Sequence, residues 1–130
     1  MIKIHITSVI VDDQAKAEAF YVGKLGFRKK HDFPAGGARW LTVENAGGSG
    51  VEMLLEPCGY DFAKAWQSSL HEHGIPITSL GVDDITAEVN RLREVGVVVR
   101  GEPSPATDGM PSVVLIEDGC GNLPMLVESP

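Results

Sequence analysis

Ile6-Thr7-Ser8-Val9-Ile10-Val11-Asp12-Asp13 returns at an offset of 77 − 6 = 71 residues as Ile77-Thr78-Ser79-Leu80-Gly81-Val82-Asp83-Asp84, with six of eight positions identical. In each copy a run of β-branched and aliphatic residues ends in two aspartates, and a helical pattern follows. Internal repetition is read before any local pattern, because each copy must be one structural unit. Two copies are too few for a solenoid. The repeat therefore predicts a paired-module domain made of two similar halves.

Outward from the first copy, residues 2–11 read as a strand. Asp12 and Asp13 supply an N-cap and negative charge at a helix start. The helix is expected over 14–25, with Ala17, Phe20, Tyr21 and Leu25 on one apolar face and Gly26 stopping it. Three strands follow, at 27–33, 38–44 and 51–56, separated by Pro34-Ala35-Gly36-Gly37 and by Asn45-Ala46-Gly47-Gly48-Ser49-Gly50. The first half is thus β-α-β-β-β.

Residues 58–75 have no counterpart in the second half. Asp61 can cap a helix whose stripe of Phe62, Ala65, Trp66 and Leu70 predicts core packing. His71 and His73 are two apart, point apart on a helix, and read as exposed helix-end residues rather than a metal pair.

The second half repeats the plan. A strand at 76–82 leads to the caps Asp83 and Asp84. A helix at 85–95 carries Ile85, Val89, Leu92 and Val95 on one side and stops at Gly96. Strands follow at 97–101, 112–117 and 123–127, with a turn at Asp118-Gly119-Cys120-Gly121-Asn122. The expected organisation is one domain over 1–130: a first module at 1–57, a linker helix at 58–75 and a second module at 76–130.

The chain has 130 residues, of which 43% are hydrophobic, enough to bury a core. No apolar run approaches the roughly 20 residues a membrane helix needs. The start, Met1-Ile2-Lys3-Ile4-His5, lacks a signal peptide's charged-then-apolar layout, so a cytoplasmic location is expected. The net charge of −7 argues against nucleic acid, whose binding relies on Lys and Arg neutralising phosphates. The single basic cluster, Arg28-Lys29-Lys30, reads as a solvated strand end. Cys58 and Cys120 lack CxxC spacing and read as free thiols in a reducing compartment. A reactive Cys120 in its glycine-flanked turn is the lesser alternative.

Several motifs carry a family resemblance: Val11-Asp12-Asp13 at the strand end, Ala19-Phe20-Tyr21 on the helix, Leu25-Gly26-Phe27, Val51-Glu52-Met53-Leu54 and Gly121-Asn122-Leu123. Their order and spacing resemble the vicinal oxygen chelate superfamily, which contains glyoxalases, bleomycin-resistance proteins and extradiol dioxygenases. The resemblance implies an α+β fold of two βαβββ modules whose strands curl into an open, barrel-like cup with the helices outside. It also implies a homodimer, as is common among the small members.

Metal-using members of that superfamily hold a divalent ion with up to four ligands, on the first and last strands of each module. Aligned on these motifs, the four positions fall on Ile6, Glu52, Ile77 and Met125. Only Glu52 suits a hard divalent ion, since aliphatic side chains donate nothing and a thioether is soft. No cofactor is therefore expected, and a divalent metal is disfavoured. Strand alternation turns His5 away from the cup if Ile6 points into it, unless a bulge reverses the register. His31 has no identifiable partner and reads as surface.

Without a metal, Glu52 becomes a candidate general base, since desolvation favours the neutral form of a carboxylic acid and tunes such bases. The structural alternative pairs it with Arg39 on the neighbouring strand. Trp40 is expected in the cup wall, which with Ile6, Ser8, Ile77, Ser79 and Met125 would be mostly apolar with a few hydroxyls. Filling of the core is the competing role for the aliphatic members. The expected ligand-binding set is Ser8, Arg39, Trp40, Glu52, Ser79 and Met125. The favoured function is a metal-free binding module of the bleomycin-resistance type. The alternative is a lyase or dioxygenase using Glu52 as base or as metal ligand.

Overall fold

Asp13 and Asp84 do the same job in the two halves of the computed structural model, which describes residues 1–48 and 50–128. The Asp13 carboxylate accepts from the Lys16 N–H, and the Asp84 carboxylate accepts from the Ala87 N–H at 3.1 Å. Both aspartates have extended backbones and open a helix where the repeat places it.

The element order is β1 (Ile6–Val11), α1 (Gln14–Glu18), β2 (Arg28–Ala35), β3 (Ala38–Glu44), β4 (Glu52–Pro57), α2 (Asp61–Glu72), β5 (Ser79–Val82), α3 (Ile85–Glu94), β6 (Val99–Arg100), β7 (Val113–Ile116) and β8 (Met125–Glu128). Helix α1 runs straight into a π-helical segment, Ala19–Lys24, which puts Phe20 and Tyr21 edge to face at 5.0 Å in the core. Gly26, with φ 88°, ends it by donating its N–H to the Val22 carbonyl.

The strands form two open four-stranded sheets, β1-β4-β3-β2 (sheet 1) and β5-β8-β7-β6 (sheet 2). In each, the first strand runs parallel to the last, and the other pairings are antiparallel. The fold is α+β, as expected. The chain forms two compact units, Met1–Gln67 and Ser68–Pro130, so the division falls inside α2.

Sheet 1 has one face closed and one face open. Val9, Val11, Leu41, Val43 and Leu55 are buried on the side that α1 covers, with Ala17 and Tyr21 from the helix. In sheet 2, Val114, Ile116 and Leu126 are buried, as are Ile85, Val89 and Leu92 of α3. Glu128 accepts from the Ile85 N–H at the start of α3.

Helix α2 departs from expectation. Phe62 and Trp66 are 73% and 54% exposed, and the helix buries Gln67 instead. The reason lies at the sheet edge: β1 is the edge strand of sheet 1 among the described residues, and carbonyls on its outer side need other donors. Gln67 donates its Nε2 to the Ile10 carbonyl at 3.0 Å.

Candidate functional site

Sheet register decides which residues share the open face of sheet 1. Ile6 lies opposite Glu52 and Ser8 opposite Leu54, while Thr42 pairs with Leu54 and Glu44 with Glu52. Alternation then puts Ile6, Ser8, Trp40, Thr42, Glu44 and Glu52 on one side. Three members of the expected set, Ser8, Trp40 and Glu52, are therefore brought to one face. Ser79 and Met125 are opposite one another in sheet 2 and share a face there.

Arg39 goes to the other face. It alternates with Trp40, and its guanidinium meets Asp32 at 3.0 and 2.8 Å and also pairs with Glu18. Pairing of Arg39 with Glu52 is thus corrected by the pleat itself. The bond from Arg39 holds Asp32 far below the usual carboxylate range, with Lys29 adding to it. Glu18 is lowered by the same guanidinium, against the opposing effect of burial and with help from Lys29.

Glu52 is 2% exposed, and the buried Thr42 hydroxyl donates to its Oε1 at 2.8 Å. Three cationic or ionisable groups surround it at longer range. His31 Nε2 is 3.7 Å from Oε1, while Lys30 Nζ and His5 Nε2 are 3.7 and 3.8 Å from Oε2. Two expectations are corrected here. His5 stands just before β1, where its carbonyl accepts the Glu52 N–H at 3.0 Å, and its ring lies 3.8 Å from the Glu52 carboxylate rather than turned away from it. His31 is not partnerless.

The cause of the second correction is a β-bulge. Lys29 pairs with Val43 and His31 with Thr42, leaving Lys30 as the extra residue. The Thr42 hydroxyl accepts from the His31 N–H at 3.1 Å, just past the irregularity. Arg28, Lys30 and His31 consequently attend the Glu44/Glu52 face, and Lys29 joins Glu18 and Asp32. The basic cluster is not a uniformly solvated strand end. Glu44, 7% exposed, is held below the ordinary range mainly by hydrogen bonds from Arg28, with Lys30 also contributing.

Beside this polar group stands an aromatic pair. Phe33 lies opposite Trp40, and their rings stack at 6.3 Å with planes 20° apart. They remain 49% and 36% exposed, and His31 meets Phe33 edge-on at 6.3 Å. Lys30 and His31 read as surface in the sequence, and Phe33 is not marked there as a site residue, because a bulge leaves no trace in hydrophobic alternation.

Register also corrects the assignment of Met125. Ser8 opposite Leu54 and Ser79 opposite Met125 share one offset, since 79 − 8 = 71 and 125 − 54 = 71. Met125 therefore matches Leu54, and the counterpart of Glu52 is Leu123 (52 + 71), which is 1% exposed. Neither side chain can hold a hard cation.

Elsewhere, His71 is half-buried and bonds Glu117 at 2.9 Å, rather than standing free at the helix end. Burial pushes the Glu117 carboxyl up, but bonds from His71 and Arg100 leave it net lowered. Cys120 is fully buried, with its N–H donated to Asp118, which removes it as an accessible thiol. Among the described residues, no group of three or more His, Cys, Asp or Glu is arranged to hold a metal ion. No helix among them is long and apolar enough to cross a membrane.

Two four-stranded sheets of this connectivity, with an open face carrying a buried glutamate, define a protein of the glyoxalase type. The chain belongs to the Glyoxalase/Bleomycin resistance protein/Dioxygenase superfamily, whose sequence pattern matches residues 3–126. It is 42% identical over 127 residues to the uncharacterized protein YurT of Bacillus subtilis strain 168, covering 97% of this chain and 98% of YurT. It is 29% identical over 119 residues to a probable lactoylglutathione lyase of Synechocystis sp. strain PCC 6803, covering 88% and 86%. The structure of UcmS2 superposes with a TM-score of 0.85 at 30% identity, covering 99% of each chain. That of TnmS3, an antibiotic binding protein from Streptomyces sp. CB03234, gives 0.74 at 27% identity, covering 100% of this chain and 98% of TnmS3.

Proposed function

We propose that this protein binds a small, partly apolar organic molecule on the open face of sheet 1, without a metal ion. The observation that carries the reading is the exposed, stacked Phe33–Trp40 pair beside the polar group around Glu52. Pockets for small organic molecules combine apolar and aromatic surface with a few placed polar groups. Likeness to an antibiotic binding protein supports this class of ligand. Ser8 adds a hydroxyl to the same face.

The donor set does not fit the divalent ion that some superfamily members use. Ile6 and Ile77 offer no donor, and the Lys30 ammonium already stands at Glu52, where a metal cation would be repelled. The protein is further proposed to act in the cytoplasm, and as a homodimer, a state that light scattering in solution tests directly.

The test of the main reading is a thermal-shift screen of aromatic antibiotics and metabolites against the wild type and Trp40→Ala. Hits that stabilise the wild type and not the variant support the site. Hits that stabilise both equally place binding elsewhere. Elemental analysis of protein purified without a metal-affinity tag is expected to find substoichiometric metal.

A second reading is an enzyme, a lyase or dioxygenase with Glu52 as base or metal ligand. It is favoured by the two imidazoles within 3.8 Å of that buried carboxylate and by the likeness to a probable lactoylglutathione lyase. About one equivalent of metal, lost in Glu52→Gln, would select it over the first.

A further inference from the structure

The open face of sheet 1 separates its charges by depth. The side chains of Glu44 and Glu52 are 7% and 3% exposed, whereas those of Arg28, Lys30 and His31 are 58%, 36% and 47% exposed. The carboxylates lie beneath and the donors stand above them, so an approaching molecule meets donors. This holds although the face is nearly neutral in sum and the chain carries −7.

Lys30 is the pivotal donor. An ammonium has three protons to donate, and its two carboxylate neighbours are at 3.5 and 3.7 Å, beyond the distance of a strong charge-assisted bond. The His31 ring likewise stops 3.7 Å short of Glu52. Both groups retain capacity for an anionic oxygen arriving from outside.

The aromatic platform is the next feature along the same strand. Phe33 is two residues from His31, which is about 6 to 7 Å along a β-strand. The observed ring separation of 6.3 Å agrees. A flat ring laid against Trp40 and Phe33 would therefore carry a substituent on its edge to the Lys30/His31 donors.

Resting on the small-molecule reading above, we infer that the ligand class is a planar aromatic carboxylate. Its ring lies on the Phe33–Trp40 pair, and its anionic oxygens are received by Lys30 and His31. The β2 bulge is then a specificity device, since without it Lys30 and His31 would point to opposite faces.

The probes are 2-naphthoate and its neutral counterpart 2-naphthamide, which share one ring and differ in charge. Trp66→Phe leaves Trp40 as the sole tryptophan, so its indole N–H resonance reports contact with the platform. Calorimetric titration gives the two affinities. The expected result is a shift of the Trp40 resonance by both probes and about tenfold tighter binding of the acid, consistent with one charge-assisted bond. Lys30→Met should remove most of the acid's advantage and leave the amide unchanged, and His31→Gln should weaken the acid alone by a smaller factor. Equal affinities, or preference for the amide, overturn the charge assignment and leave small-molecule binding standing. No Trp40 shift with either probe overturns the inference altogether. The broader reading then stands or falls on the Trp40→Ala screen.

Discussion

The Thr42 hydroxyl donates to Oε1 of Glu52 at 2.8 Å while accepting the N–H of His31 at 3.1 Å. One fully buried hydroxyl thus ties the site carboxylate on β4 to the end of the bulge on β2. Thr42→Val keeps the shape and removes both bonds, stranding a buried carboxylate oxygen and a backbone donor. The expected cost is about 1 to 3 kcal/mol of unfolding free energy, read from urea denaturation. In the Glu52→Gln background the same change should cost less, because the stranded group is no longer a carboxylate. Equal costs in both backgrounds would refute the coupling.

Acid should weaken the protein in part through Arg39. The folded-state carboxyls of Asp32 and Glu18 are held below their ordinary values, chiefly by hydrogen bonds from Arg39. A depressed folded value means the contribution is fully present above the unfolded value and is lost as pH falls through the folded one. Stability should therefore decline below about pH 4, where free carboxylates begin to protonate. Arg39→Met should flatten that decline without abolishing it, since Glu44 and Glu117 are also lowered. Denaturant titrations at a series of acidic pH values measure both slopes.

The repeated aspartates offer a matched pair of tests. Asp13→Ala and Asp84→Ala each remove one side-chain cap, and each should cost about 1 kcal/mol. Asp12→Ala is expected to cost less, because its side chain meets only the exposed Lys16 ammonium among the described residues. A larger loss at Asp12 than at Asp13 would contradict the capping assignment.

The two thiols should separate kinetically. Cys58 is half-buried and Cys120 fully buried. A disulfide-exchange reagent should label Cys58 in the folded protein and Cys120 only when the chain opens. Rapid labelling of both in the native state, checked by mass spectrometry of Cys58→Ser, would show Cys120 to be accessible after all.

Much of the fold was legible because its determinants are local. The duplicated stretch, the aspartate caps and the stop glycines act within a few residues of themselves, and the helices and strands lie near their expected places. Helix α2 was misread for the opposite reason. Its apolar stripe is a local pattern, but burial of Gln67 answers a need of the β1 edge 57 residues away. Periodicity holds no trace of such a demand.

The sequence by itself determined the two-module α+β plan, the family and the placing of Glu52 on a last strand, since repetition and alternation are properties of the chain alone. Only the tertiary structure decided what surrounds Glu52. Register set Met125 level with Leu54, the pleat sent Arg39 to Glu18 and Asp32, and one inserted residue at Lys30 turned two neighbours toward the same carboxylate. These outcomes rest on hydrogen bonds between strands. A shift of one residue there reverses every side chain, and no local propensity records it.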